Sequence, residues 1–326
     1  MRKTTASLAS ALFALTLATG EAAGAQGFAI VTNEKSANFS VYDLDGNLLR
    51  TVPACGRPRG MLFTKDRKEF LVCCAEDNMI GVFDTQTQKL VRRVPNVLYP
   101  EVHYLHPDGR HLYVSNEEDS QATVFDLETG QQVAAYDTGT EPEGILVTDD
   151  GKLAFVASEA ANLLHVIDIE KEEIVKDIVT NTRPRRLALT PDGKELWVSA
   201  EIAGVVDIVD IGKLEVVHTI DFEFPGLRKE NVTPVDVLVD GRGERAYVGL
   251  GRANHVAVID VKTRKPTNYI LVGRRPWGLA LNKDGSRLWV TNGLSDDVTI
   301  IDTKTLKPLK STPAGEVPHS ILIFEP

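Results

Sequence analysis

Seven prolines divide the chain into near-equal lengths: Pro58, Pro100, Pro142, Pro184, Pro234, Pro276 and Pro318 lie 42, 42, 42, 50, 42 and 42 residues apart. An aspartate keeps the same beat at Asp43, Asp84, Asp126, Asp168, Asp210, Asp260 and Asp302. A period near 42 built from short strands is that of propeller blades. The nine residues from Pro318 to the end and the 32 from Gln26 to Arg57 make one further unit of 41, so head and tail are expected to share a blade. The expected fold is all-β: a seven-bladed β-propeller of four-stranded antiparallel blades, closed by a shared N- and C-terminal blade.

One blade shows the pattern. After Gly273, Leu279 to Leu281 is a short apolar strand A, Lys283-Asp284-Gly285 is a turn, and Arg287 to Thr291 returns as strand B. A polar loop leads to strand C, Val298 to Asp302, and a turn at Thr303 to Leu306 begins strand D. The aspartate closing each strand C is expected to accept backbone hydrogen bonds in the next turn, a structural task. Hairpin directions put the D–A and B–C loops on one face and turns such as Pro107-Asp108-Gly109 on the other. Blade one lacks its own strand A. Phe28 to Thr32, Phe39 to Asp43 and Leu48 to Val52 supply strands B, C and D, and Ser320 to Phe324 is expected to supply the missing inner strand.

Residues 1–25 read as a secretory signal, with Arg2 and Lys3 before an apolar run from Leu8 to Ala18 and a small-residue cleavage site at Ala23-Gly24-Ala25. The expected product is residues 26–326, one periplasmic or secreted propeller domain. It carries 34 basic against 45 acidic side chains, a formal charge of −11, which disfavours nucleic acid and anionic membranes as partners. Cys55, Cys73 and Cys74 cannot all pair within the chain. One disulfide and no disulfide both stand open. No CxxC pair, Gly-x-Ser-x-Gly elbow or His-Glu-x-x-His is present.

Leu288 to Asp302, LWVTNGLSDDVTIID, resembles the Tyr-Val-Thr-Asn pattern of the YVTN-type seven-bladed β-propellers, with weaker copies at HLYVSNEEDSQATVFD and FAIVTNEKSANFSVYD. In size, leader and repeat the chain is similar to the β-propeller proteins associated with pyrroloquinoline quinone (PQQ)-dependent catabolism. That resemblance implies a link to periplasmic quinoprotein alcohol dehydrogenases without implying a molecular role, and the leading expectation is a non-enzymatic binding scaffold assisting such an oxidation system, with PQQ as a candidate ligand. The rival expectation is an enzyme, either a metal-assisted lactonase or a subunit of a quinoprotein or amine dehydrogenase complex, since the architecture hosts both and does not choose between them. Cys74, Ser158, Ala200 and Leu250 replace the motif asparagine found at Asn33, Asn116 and Asn292, so a ring of asparagines is incomplete.

Residues flanking the prolines are expected to line the mouth of the central channel. Arg57, Arg59, Arg183, Arg185, Arg186, Arg274 and Arg275 cluster there, against the sign of the whole chain. They fit an anionic small molecule or the acidic surface of a redox protein, because guanidinium forks bind carboxylates. They equally fit internal pairing with Glu101, Glu143, Asp236 and Glu316. Trp277, His319 and Tyr99 add rings at the mouth, for stacking on a ligand or for loop packing. His103 in a strand A core slot reads first as a hydrogen-bonded core histidine. Calcium on Glu101, Glu143, Asp236, Asn116 and Asn292 is disfavoured by the crowding arginines. The eight extra residues between Pro184 and Pro234 place Phe222, Phe224 and Leu227 on the same face, either as an apolar handle for a partner or as packing.

Overall fold

In the computed structural model, which describes residues 27–223 and 226–326, the repeat becomes seven four-stranded antiparallel sheets. Blade two shows the unit: strands A to D are Pro58–Phe63, Glu69–Cys74, Met79–Asp84 and Leu90–Pro95, paired in that order. Strands B and C are buried along almost their whole length, and strand D is largely exposed. This gradient explains why strands A to C read as continuous apolar runs without clean alternation: both faces of each sheet lie against neighbouring blades. Clusters of buried side chains sit in these spaces, as where Trp197 and Ile208 of blade five meet Ala246 and Val248 of blade six.

The ring closes as the repeat arithmetic requires. The last strand, Pro318–Phe324, pairs with Phe28–Asn33 in antiparallel register, with Phe28 opposite Phe324 and Ile30 opposite Leu322. Phe28 stacks on Phe324 at 5.1 Å, and Arg67 of blade two lies over the Phe324 ring and donates to the Ile323 carbonyl at 2.7 Å. Closure is thus held on both sides of the added strand.

All seven strand C aspartates accept a backbone N–H from the following turn, as Asp84 does from Thr87 and Asp302 from Thr305. The hydroxyl of the motif Thr or Ser has a different task. Thr32, Ser115, Ser199 and Thr291 each donate to a strand A carbonyl of the next blade, for example Ser115 to Glu143 at 2.6 Å and Thr291 to His319 at 2.8 Å. The motif asparagines turn inward among side chains of their own sheets. Asn292 donates to Asp297 and Thr299, and Asn116 accepts from Thr123. They brace blades and do not form an axial ring.

Cys55 and Cys74 are bridged, with Cα atoms 5.6 Å apart, and Cys73 is a buried free thiol. The leader lies outside the described residues, as does Phe224. Phe222 is buried against Ile220 and Val232, so this ring packs inward and forms no exposed handle; Leu227 stays exposed. Among the described residues, no helix is long and apolar enough to cross a membrane.

Candidate functional site

Each strand A begins at one of the seven prolines, and six of the residues just before them, Arg57, Tyr99, Glu141, Arg183, Arg275 and Val317, have φ between 39° and 66°. Non-glycine residues avoid this left-handed region, so each turn stores strain that its surroundings must outweigh. Hydrogen bonds supply part of the restraint: the carbonyls of Glu141 and Arg183 accept the N–H groups of Glu159 and Glu201 at 2.8 Å. The result is a rigid rim at the wide end of the innermost strands.

Immediately after the prolines stand Arg59, Glu101, Glu143, Arg185, Val235, Trp277 and His319, one per blade. They pack into a ring. Arg59 meets Glu101 at 2.5 Å and Glu143 at 3.5 Å, Arg185 meets Glu143 at 3.2 Å, and the Arg185 guanidinium lies 5.1 Å from the Trp277 ring. Trp277 in turn lies 5.4 Å from His319. Three glutamates that directly follow strands B, Glu34, Glu159 and Glu201, complete the network: Arg57 and Arg59 reach Glu34, and Arg183 and Arg185 reach Glu159 and Glu201. Arg275 joins Glu201 at 3.0 Å and covers Trp277. Arg57 lies over Tyr99 at 4.7 Å. Arg274 is exposed on the rim.

The arginine mouth is therefore an ion-paired network. Burial opposes the charge on Glu143, but Arg185, Arg186 and Arg59 outweigh it and hold this carboxylate at about 2. At Glu101 burial prevails over the pull of Arg59 and Arg57, and the carboxyl is pushed up. Because guanidinium donors occupy the Glu101 and Glu143 carboxylates, these groups do not offer a cation a free set of oxygens.

Next to this ring lies a cavity of about 140 Å³ lined by Arg186, Asp236, His103, Trp277 and His319 together with Gly60, Met61, Val102, Gly278 and Ser320. Glycines permit the tight packing of its walls: a Cβ at Gly278 would stand 2.4 Å from the His319 carbonyl. Asp236 is held by the N–H groups of Val237 and Leu279, both at 2.9 Å. Burial dominates, against the pull of Arg186 and these N–H groups, and pushes its carboxyl up to about 6.

Both cavity histidines are neutral. Burial first, and then the nearby arginines, keep His319 well below the usual imidazole range. Arg186 can only donate in its 3.4 Å contact with His319 Nε2, so the ring proton is on Nδ1, which has no partner among the described residues. Burial lowers His103 to about 3 and raises the Cys73 thiol, whose Sγ lies 2.8 Å from His103 Nδ1. His103 also hydrogen-bonds to the backbone of Leu71, so the Cys73 sulfur and this backbone group together hold the ring. His103 is hydrogen-bonded in the core as its slot suggests, and it is also a residue of the cavity wall.

A second constellation imitates a nucleophile and is structural. Asp177 lies 2.6 Å from His165 Nδ1, and His165 Nε2 lies 3.1 Å from Ser158 Oγ. That Nε2 also accepts the Gly139 N–H at 2.8 Å, and Ser158 is fully buried. The same chain of contacts recurs without histidine as Asn292, Thr299 and Ser311 in blade seven. It fastens strands B, C and D.

Of the residues expected at the mouth, Arg57, Arg59, Arg183, Arg185 and Arg275 meet in the ion-paired network, whereas Arg186, Trp277 and His319 also reach the cavity. Glu316 has no place among the ion pairs of the described residues. Glu34, Glu159 and Glu201 were not singled out from the sequence; their common position after strand B was the available signal. Asp236 stood out as an arginine partner and as one of the disfavoured calcium ligands, although it and Arg186 are the charged residues two places after one of the seven repeat prolines.

A YNCE-like β-propeller family model matches residues 101–187, and a lactonase seven-bladed β-propeller family model matches residues 175–323. No curated protein matches the sequence significantly. Among solved structures, the fold is similar to that of a protein of unknown function from Desulfotomaculum acetoxidans, at 16% identity and a TM-score of 0.77 over 92% of this chain and 99% of that one. It is also similar to hydrazine synthase from Kuenenia stuttgartiensis (21% identity, TM-score 0.72, 82% of this chain and 95% of that one). A candidate 6-phosphogluconolactonase from Bacteroides uniformis gives 16% identity and a TM-score of 0.76 over 92% and 100%. At such identities the likeness is one of fold.

Proposed function

We propose that this seven-bladed propeller is an enzyme of lactone chemistry, opening or closing a small cyclic ester in the cavity bounded by Arg186, Asp236, His103, Trp277 and His319. The observation that carries this reading is the meeting, on one small cavity, of a carboxyl raised to about 6 with a guanidinium and two neutral imidazoles. Support also comes from the lactonase family model, whose matched residues include Arg186, Asp236, Trp277 and His319. The quinone-linked scaffold implied by the sequence resemblance has no comparable support. Its arginines are largely neutralised by glutamates of the rim, and neither family model concerns quinone-dependent oxidation.

In the hydrolytic direction, ionised Asp236 takes a proton from water as the water oxygen attacks the lactone carbonyl carbon. Arg186 stabilises the oxyanion, in a site where a fixed donor acts with little screening. Collapse of the tetrahedral species breaks the ring C–O bond, and Asp236 returns its proton to the leaving alkoxide. Trp277 presents an apolar wall to the ring carbons. A cavity of about 140 Å³ suits a compact lactone.

The test is hydrolysis of a panel of unsubstituted and carboxylated five- and six-membered lactones, followed by proton release. Activity should appear with at least one compact lactone, and Asp236→Asn should lower kcat/KM by at least about 100-fold. An Asp236→Asn protein as active as the parent, or no turnover of any lactone, overturns the reading.

A further inference from the structure

The repeat supplies its own comparison for the A–B turns on the face opposite the channel mouth. In blade five this turn runs Thr190-Pro191-Asp192-Gly193-Lys194-Glu195, and the Thr190 hydroxyl donates to Asp192 Oδ1 at 2.7 Å. Thr64 and Thr148 make the same bond to Asp66 and Asp150. Blade three keeps the basic residue as Arg110 but changes the first and last positions of the turn, reading His106-Pro107-Asp108-Gly109-Arg110-His111. Both replacements are histidine, and both converge on the aspartate.

Asp108 Oδ1 accepts the N–H groups of Arg110 at 2.7 Å and His111 at 3.0 Å, which fixes the carboxylate. Its other oxygen, Oδ2, lies 3.0 Å from His106 Nδ1 and 2.6 Å from His111 Nδ1. These three atoms all lie within 4.8 Å of one another. His106 Nε2 stands 3.1 Å from the Gly151 carbonyl and must donate to it, so the neutral ring keeps a lone pair on Nδ1, which accepts the Asp108 N–H at 3.1 Å. A ring nitrogen that donates to a backbone carbonyl while its partner nitrogen faces the donor cluster is the arrangement that orients metal-binding histidines.

We propose that His106 Nδ1, Asp108 Oδ2 and His111 Nδ1 bind a borderline divalent transition-metal ion, with zinc as the representative, and leave at least one position for water. Two imidazoles and one carboxylate select zinc, copper, nickel or cobalt over calcium or magnesium, which prefer oxygen donors. With Zn–N and Zn–O bonds of about 2.0–2.2 Å, tetrahedral donors stand about 3.3 Å apart. The His111 to Asp108 contact therefore opens by less than 1 Å on loading, the metal replaces the Asp108 N–H on the His106 Nδ1 lone pair, and the proton on His111 Nδ1 passes to Nε2. This site lies just past the end of the strand Pro100–Leu105 that carries His103, on the face opposite the channel mouth, and does not depend on the lactone reading.

The experiment titrates zinc into the metal-free full chain by calorimetry, with imidazole resonances followed in parallel by NMR. One equivalent should bind, and the rings of His106 and His111 should shift while the other five histidines do not. Paired replacement His106→Thr with His111→Glu restores the turn of blade five, so it should fold, and it should weaken this binding by more than tenfold, at least the loss seen when only a supporting partner of a metal ligand is removed. Absence of binding, shifts at other histidines only, or equal affinity in the double variant overturns the proposal. The NMR arm decides the question in the parent chain even if the variant fails to fold.

Discussion

At Asp236 two backbone N–H groups hold a buried carboxyl whose pKa is raised to about 6 from the ordinary value of 3.8. The folded state then binds this proton more tightly than the unfolded chain does. Its contribution is therefore most favourable below about pH 4 and is lost as pH rises to about 6. The difference between 3.8 and about 6 corresponds to about 3 kcal/mol, which Asp236→Asn cannot lose. Denaturant unfolding of both proteins between pH 4 and pH 7 should show the stability of the parent falling relative to the variant by about that amount. A constant difference across this range would show that Asp236 is not shifted. The same ionisation sets an activity limb: kcat/KM for lactone opening should rise with pH through a midpoint near 6, where the base form appears. The candidate residues were only partly legible because strand A of a propeller presents similar slots in every blade. Sequence marks the slot two places after each proline, but whether a carboxyl there is paired or stays protonated depends on which residues its ring neighbours supply.

Among the elements, the last strand has the largest leverage. Pro318–Phe324 forms the inner edge of blade one, and it also carries His319, which belongs both to the ring beyond the prolines and to the cavity. Deleting Val317 to Pro326 exposes the edge of Phe28–Asn33 and removes apolar side chains worth about 1.5–3 kcal/mol each when buried, against a usual total stability of about 5–15 kcal/mol. The truncated chain should lose its cooperative thermal transition and bind a hydrophobic dye at low temperature. An unchanged midpoint would contradict the closure seen here. This strand was legible in advance because the missing A strand of blade one and the surplus at the C-terminus add up to a single blade. The inserted segment after blade five was less so. Phe222 could face outward or inward on sequence evidence, and only the position of Val232 beneath it shows that it packs inward.

For the whole molecule, we carry export as a proposal: the Arg2 and Lys3 region, the apolar run and Ala23-Gly24-Ala25 occur in the order of a leader. The Cys55–Cys74 bridge agrees with an oxidising destination. Intact mass of the secreted or periplasmic protein should begin at Gln26, and thiol titration after denaturation without reductant should find one free cysteine, Cys73. A chain retaining Met1, or one with three free thiols, would count against export to such a compartment. The number of blades, their strand order and the shared closing blade were determined by the sequence itself, because each follows from a period and from hairpins whose turns are local. What lies on the axis was decided only by tertiary structure. Arg59, Glu101, Glu143 and Arg185 are 42 residues apart in succession, and nothing local sets whether such charges face a ligand or one another. Closing the ring brings them within ion-pair distance and, beside them, joins Arg186, Asp236, His103 and His319 around one cavity. Pairing of this kind depends on distances between blades, which the circular closure of the chain alone supplies.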